Sequence, residues 1–301
     1  MLVSVLSLKG SPGATTFAVA LTARWPAPTR ALVVEADPSG GDLGLRFSLP
    51  STPGLVSLAA AARRGGDADL VWRHTQELPG GLPVIAAPPD AEQTRAALSA
   101  LVPDPVTGLG AVRAAANQPG TVVVLDCGRV DPGSPALPIA RFSDVVVLLS
   151  RAHADDLAHL PRRLPAVGRW SPNPVLLLVG EGYRSTEVAR ELGVLPLGRV
   201  PHDPNGAAVL CGRPNKLRWG RSGPSHSALG RFAHEVATQL ATCERSVPPF
   251  PLPAEPTGLR APVTTMHTVP GVPIGPIPPN GVRPAPRPDN NPHQQRGGQA
   301  S

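Results

Sequence analysis

The residues best suited to chemistry fall in one short run, Lys9-Gly10-Ser11-Pro12-Gly13-Ala14-Thr15-Thr16, which follows an apolar stretch and opens a helical one. A glycine-rich loop in that context lets backbone N–H groups wrap phosphate oxygens at close range. Taken alone the segment also reads as an ordinary turn, because glycine and proline punctuate every α/β protein. Lys9 carries more information. The chain has only two lysines, Lys9 and Lys216, among 28 basic residues, so arginine serves wherever a generic cation suffices and a lysine calls for a specific explanation. A magnesium triphosphate needs a hydroxyl or carboxylate for the metal, backbone donors for its oxygens and a cation to offset developing charge. Threonines, acids, glycines and Lys9 supply all three.

Three further loops carry polar residues just beyond apolar runs: Asp37 to Gly44, Asp126 to Arg129, and Pro201 to Asp203. Asp37 and Asp126 each end a β-branched or leucine-rich run. Asp126 also fits a strand-end turn, and Asp42 fits a loop acid that caps the next element. His153 and His159 are six residues apart and do not share a helical face, and His202 reads as a surface or turn residue. Cys127, Cys211 and Cys243 are odd in number and widely spaced, which suggests neither a disulfide framework nor a metal knuckle.

The elements that must position these residues alternate along the chain. Strands are expected at Leu2–Leu8, Ala31–Ala36, Leu82–Ala86, Thr121–Leu125, Asp144–Ser150, Val175–Val179 and Leu195–Val200. Helices are expected at Thr15–Trp25, Leu55–Arg64, Asp90–Leu101, Ala154–Val167, Thr186–Leu192 and Ser225–Cys243. This pattern predicts an α/β fold, a doubly wound and mostly parallel sheet with helices on both faces. Ligands then bind beyond the carboxyl ends of the strands, where all four loops lie.

The motifs together resemble a known family. Lys9 to Thr16 resembles the deviant Walker A motif KGGxGKTT of the ParA/MinD-type P-loop ATPases, and Glu35-Ala36-Asp37-Pro38 resembles the family's DxDP segment. Val122-Val123-Val124-Leu125-Asp126 is similar to a Walker B strand, and Leu197-Gly198-Arg199-Val200-Pro201-His202-Asp203 to the late strand and PxD loop near the base. The resemblance spans roughly residues 1 to 242. It implies ATP and Mg²⁺ as cofactors, with Lys9 reaching phosphates across a nucleotide-dependent homodimer, Thr15 on the metal and Thr16 on phosphate. It implies that Asp37 positions the attacking water, that Asp126 holds Mg²⁺ through water, and that Pro201 and Asp203 flank the base. Gly10, Ser11, Gly13 and Ala14 complete the phosphate loop.

The departures from the pattern matter as much. Ala14 stands where the P-loop lysine normally contacts the β and γ phosphates, and the lost charge-assisted contact is worth about 1.5 to 3 kcal/mol. Ser11 replaces a glycine, and Pro12 has no N–H to donate.

The charge of +6 and pI near 10.2 favour acidic partners without proving one. Arg213, Lys216, Arg218 and Arg221, with Trp219, form a basic cluster compatible either with non-specific DNA binding or with a solvated loop. Fifteen of the 40 prolines follow Ser246, so the expected folded domain is 1–245 and residues 246–301 form a proline-rich disordered tail suited to a linker or to an aromatic groove on a protein partner. No charged leader or bilayer-length apolar run is visible, and a cytoplasmic location is expected. The functional expectation is a ParA/MinD-like ATPase or ATP-binding switch that positions or partitions a cargo, such as DNA, a septal protein or a secretion apparatus. The alternatives are a non-catalytic scaffold and a non-specific DNA-binding module.

Overall fold

Short runs of Val and Leu with buried side chains on both faces form one sheet. The structure, a computed structural model, describes residues 1–64, 67–102, 110–212 and 224–243. Among them the strands are β1 (Leu2–Ser7), β2 (Arg30–Glu35), β3 (Gln76–Leu78), β4 (Leu82–Ile85), β5 (Thr121–Arg129), β6 (Val145–Arg151), β7 (Asn173–Val179) and β8 (Gly198–Val200). Their spatial order is β3-β4-β2-β5-β1-β6-β7-β8, and every neighbouring pair is parallel except β3–β4. The strand alternation sorts the core into two layers. Val3, Val5, Val122, Val124 and Val147 face one cluster, while Leu2, Leu6, Val123, Leu125 and Leu148 face the other.

The helices are α1 (Ala14–Ala23), α2 (Leu43–Arg46), α3 (Leu55–Ala62), α4 (Ala68–Arg73), α5 (Ala91–Ala100), α6 (Ala111–Asn117), α7 (Leu137–Ala140), α8 (Ala154–Leu157), α9 (Leu164–Val167), α10 (Ser185–Leu192), α11 (Pro204–Leu210) and α12 (Ala228–Leu240). Helices α1, α11 and α12 cover the first face through Phe17, Leu21, Leu210, Leu229 and Val236. The other face is covered through Leu58, Leu70, Leu98, Val112, Leu137 and Val188. The doubly wound, mostly parallel architecture expected from the alternation is the one observed.

Several local expectations are corrected. The single helix expected at Ala154–Val167 is two short ones, α8 and α9, because Pro161 between them has no N–H and cannot continue a helix. The strand expected from Leu195 begins only at Gly198, and Leu195 is exposed. β5 runs on to Arg129 past the expected end at Leu125. The edge strand β3, three residues of a hairpin closed by Pro79-Gly80-Gly81, is too short to leave a periodic signal. The basic cluster at 213–221 and the tail from 246 lie outside the described residues.

Candidate functional site

The phosphate-like loop is built as a strand end, a turn and a helix start. β1 sits at the centre of the sheet between β5 and β6, so the loop that follows it opens at the point where the winding reverses. Gly13 caps α1 with φ of 93°, a left-handed conformation that favours glycine. The Phe17 N–H closes the first helical bond on the Gly13 carbonyl at 2.9 Å. The N–H groups of Ala14, Thr15 and Thr16 therefore have no intrahelical acceptor, and no acidic side chain occupies this first turn. These are donors aimed at an anion, with the positive end of the helix dipole behind them.

Thr15 meets Asp126. The threonine hydroxyl lies near enough to the Asp126 carboxyl, fully buried in β5, to favour its ionised form. Burial pushes the Asp126 pKa up to about 7, and the nearby carboxylates Glu35 and Asp37 add to the rise, while Thr15 and the Gly128 N–H partly offset it. Asp37, half-buried after β2, is raised for the same first reason, burial, and its Oδ1 accepts the Ser39 N–H at 2.8 Å. Glu35 and Asp37 are thus near enough for their charge to disfavour ionisation of Asp126, which a proton or a nearby cation would relieve.

Glu35 has a role that its sequence position did not reveal. Its Oε1 accepts the N–H groups of Asp42 and Leu43, both at 2.8 Å, and its Oε2 accepts that of Ala87 at 2.9 Å. The buried carboxylate thereby fastens the start of α2 and the end of β4 to β2. Asp42 stands at the N-terminus of α2 but its carboxylate makes no capping bond; it pairs with Arg46 at 2.5 Å instead.

Two cavities meet at the loop. One, of about 430 Å³, is lined by Gly10, Ser11, Ala14, Thr15, Asp37 and the two arginines Arg46 and Arg129, together with neighbouring residues. The other, of about 240 Å³, is lined by Pro12, Phe17, Val179, Pro201, His202 and Asp203 among others. Gly13 and Thr16 line both. Nine of the eleven sequence-identified positions thus line these two cavities, and Asp126 lies beside Thr15 without lining either.

Lys9 stands apart. It lies outside both cavities, exposed, with its Nζ donating to His159 Nε2 at 2.9 Å. Asp203 lines the second cavity with both carboxylate oxygens engaged: Oδ1 accepts the Gly206 N–H at 2.8 Å and Oδ2 the Leu229 N–H at 3.0 Å. Its partial burial opposes ionisation, but the N–H groups of Gly206, Leu229 and Ala228 and the Ser227 hydroxyl together hold its pKa below the ordinary carboxylate value. It ties the start of α11 to the start of α12. Arg46 and Arg129 were not singled out from the sequence, although Arg129 closes one of the four polar loops.

The donor set fits a magnesium nucleotide in its chemistry. A hydroxyl and a carboxyl are neighbours at Thr15 and Asp126, beside helix N–H groups without an intrahelical acceptor. Among the described residues no three His, Cys, Asp or Glu side chains converge as a cage, so an ion here would take its other ligands from phosphate and water. No helix among the described residues is long and apolar enough to cross a membrane.

Neither a family sequence profile nor any curated protein sequence matches the chain. Solved structures do match its fold. A ParA family ATPase from Chlorobium tepidum TLS superposes with a TM-score of 0.60 at 16% identity, covering 79% of this chain and 98% of that one. The cell division ATPase MinD of Pyrococcus furiosus also gives 0.60 at 16% identity, over 80% of this chain and 98% of its own. The septum site-determining protein MinD of Pyrococcus horikoshii OT3, solved with Mg-ADP, gives 0.58 at 15% identity, over 80% and 96%. The fold is of the ParA/MinD type.

Proposed function

We propose that this protein is a ParA/MinD-like nucleotide switch that binds ATP with Mg²⁺ and acts in positioning or partitioning a cargo. The reading rests chiefly on one observation: two cavities share Gly13 and Thr16, one rimmed by apolar side chains and Pro201, the other by helix N–H groups and acids. That division suits a base on one side and phosphates on the other. Thr15 and Asp126 would hold the metal, directly and through water. When bound, Mg²⁺ supplies positive charge against the β and γ phosphate oxygens. Asp37 would orient a water. Lys9, outside its own chain's cavities, is disposed as a lysine serving the nucleotide of a second copy would be.

A scaffold without nucleotide is the competing reading, and Ala14 is the observation that favours it. Titration calorimetry with ATP, in Mg²⁺ and again in EDTA, decides between them. The proposal expects saturable binding that weakens at least tenfold on chelation. Absence of ATP binding under both conditions, in folded protein, refutes it in favour of the scaffold.

A further inference from the structure

The phosphate cavity contains the charge that the loop lacks. Ala14 is buried and neutral, yet two guanidiniums from other elements line the same space: Arg46 at the end of α2 and Arg129 at the end of β5. Resting on the nucleotide reading above, we infer that Arg129, with Arg46 as its second, is the phosphate-binding cation that replaces the missing P-loop lysine.

Arg129 is placed there by an irregularity of the sheet. β1 and β5 pair Val5 with Asp126 and then Ser7 with Arg129, so β5 spends one extra residue between the two contacts. Such an insertion reverses the alternation that follows and re-aims the next side chain. Gly128, at φ of 57°, accommodates it. The result carries an exposed guanidinium to the cavity mouth three residues after the buried Asp126, alongside Ser7 where the loop begins. Among the described residues Arg129 enters no ion pair, and its field acts on Asp37 across the cavity. Arg46 is held differently. Its Nη2 pairs with Asp42, and α2 itself is fastened by Glu35, so this second cation is positioned but partly neutralised.

Charge and chemistry favour the substitution. Asp37 and Asp42 line the space that a triphosphate would share with one Mg²⁺, with the buried Asp126 beside Thr15, and without a protein cation the site would rely on the metal alone. A guanidinium meets phosphate oxygens with two parallel N–H bonds, where an ammonium acts as a point charge. In a chain that uses arginine for all but two of its 28 basic residues, moving this charge from the loop to β5 needs only a residue type it already prefers.

The test is a cycle of variants read by calorimetric titration with Mg-ATP and with AMP, which lacks the β and γ phosphates. Against the parent, Arg129→Ala should weaken Mg-ATP about tenfold or more and leave AMP within about twofold. Arg129→Lys should recover part of the loss, and Arg46→Ala should weaken Mg-ATP by a smaller factor. Introducing Ala14→Lys into Arg129→Ala should restore affinity, and in the Ala14→Lys background Arg129→Ala should cost much less than in the parent. Mg-ATP affinity unchanged in Arg129→Ala, with its melting temperature and circular dichroism intact, overturns the inference. A lower melting temperature with unchanged affinity also overturns it, leaving Arg129 as a counter-charge for Asp37. If the parent binds neither Mg-ATP nor AMP, the nucleotide reading itself fails and takes this inference with it.

Discussion

The carboxylate of Asp37 rests against the α-carbon of Gly128, so closely that a methyl group added there would come within 1.9 Å of Asp37 Oδ2. Gly128 is also at φ of 57°, where a side chain is strained by about 1 to 2 kcal/mol. One substitution therefore tests two things. Gly128→Ala should lower unfolding free energy by at least that strain, read from the urea midpoint at unchanged m. It should also push Asp37 away, so any ATP hydrolysis should fall by more than ATP affinity does.

Asp126 carries a stability cost that the proposed metal site would explain. Its carboxyl titrates near 7 in the folded ligand-free protein and near 3.8 when ordinary and solvated. Below about 4 both states hold the proton and nothing is lost. As pH rises from there to about 7 only the unfolded chain releases it, so folding stability falls across that window. Asp126→Asn should flatten this dependence and raise the melting temperature at pH 8, while abolishing the effect of Mg²⁺ on ATP affinity. A parent protein whose stability does not fall between pH 4 and 7 relative to Asp126→Asn would contradict the assignment.

The proposed phosphate loop is tested by adding a charge to it. Ala14 lines the larger of the two cavities at the first turn of α1, so Ala14→Lys should extend an ammonium into that space. With Arg129 already in the cavity the gain in ATP affinity should be small in the parent and about tenfold or more in the Arg129→Ala background. Unchanged affinity in both backgrounds, in variants that melt like the parent, would mean that phosphates do not occupy this cavity.

Asp203 is expected to act on the fold before it acts on a base. Asp203→Ala removes a cap from α11 and an anchor from α12 and should cost about 1 to 2 kcal/mol in denaturant unfolding at pH 7. Because the folded state holds its pKa below the ordinary value, this contribution is present above the ordinary carboxylate range and disappears as pH falls through the folded value. The difference between parent and variant should therefore shrink in acid. Asp203→Asn, keeping one acceptor, should fall between the two.

Much of this was legible from residue types alone. Apolar runs of five to seven residues alternating with alanine-rich stretches determine a parallel sheet with helices on both sides, because strands buried on both faces must be apolar throughout. The glycine-rich run after the first strand, and the acids after the second and fourth expected strands, mark where such a sheet binds ligands. The resemblance of these loops to one family then indicated each residue's part. What lay beyond reach was anything set by a few residues without a period: β3, the short helices α2 and α7, and the break at Pro161 inside an otherwise helical stretch.

The site's electrostatics belonged to the tertiary structure. Nothing in the chain order says that Glu35 spends its carboxylate on three backbone N–H groups, or that Lys9 turns from its own cavity toward His159. Nor does it say that an extra residue near the end of β5 brings Arg129 into the cavity that Ala14 lines. Local sequence determines which elements form, since propensity and period act over neighbours. Which charges share one cavity depends on strand register and on how loops from β1, β2 and β5 close over the same end of the sheet, and that is decided only when the chain packs.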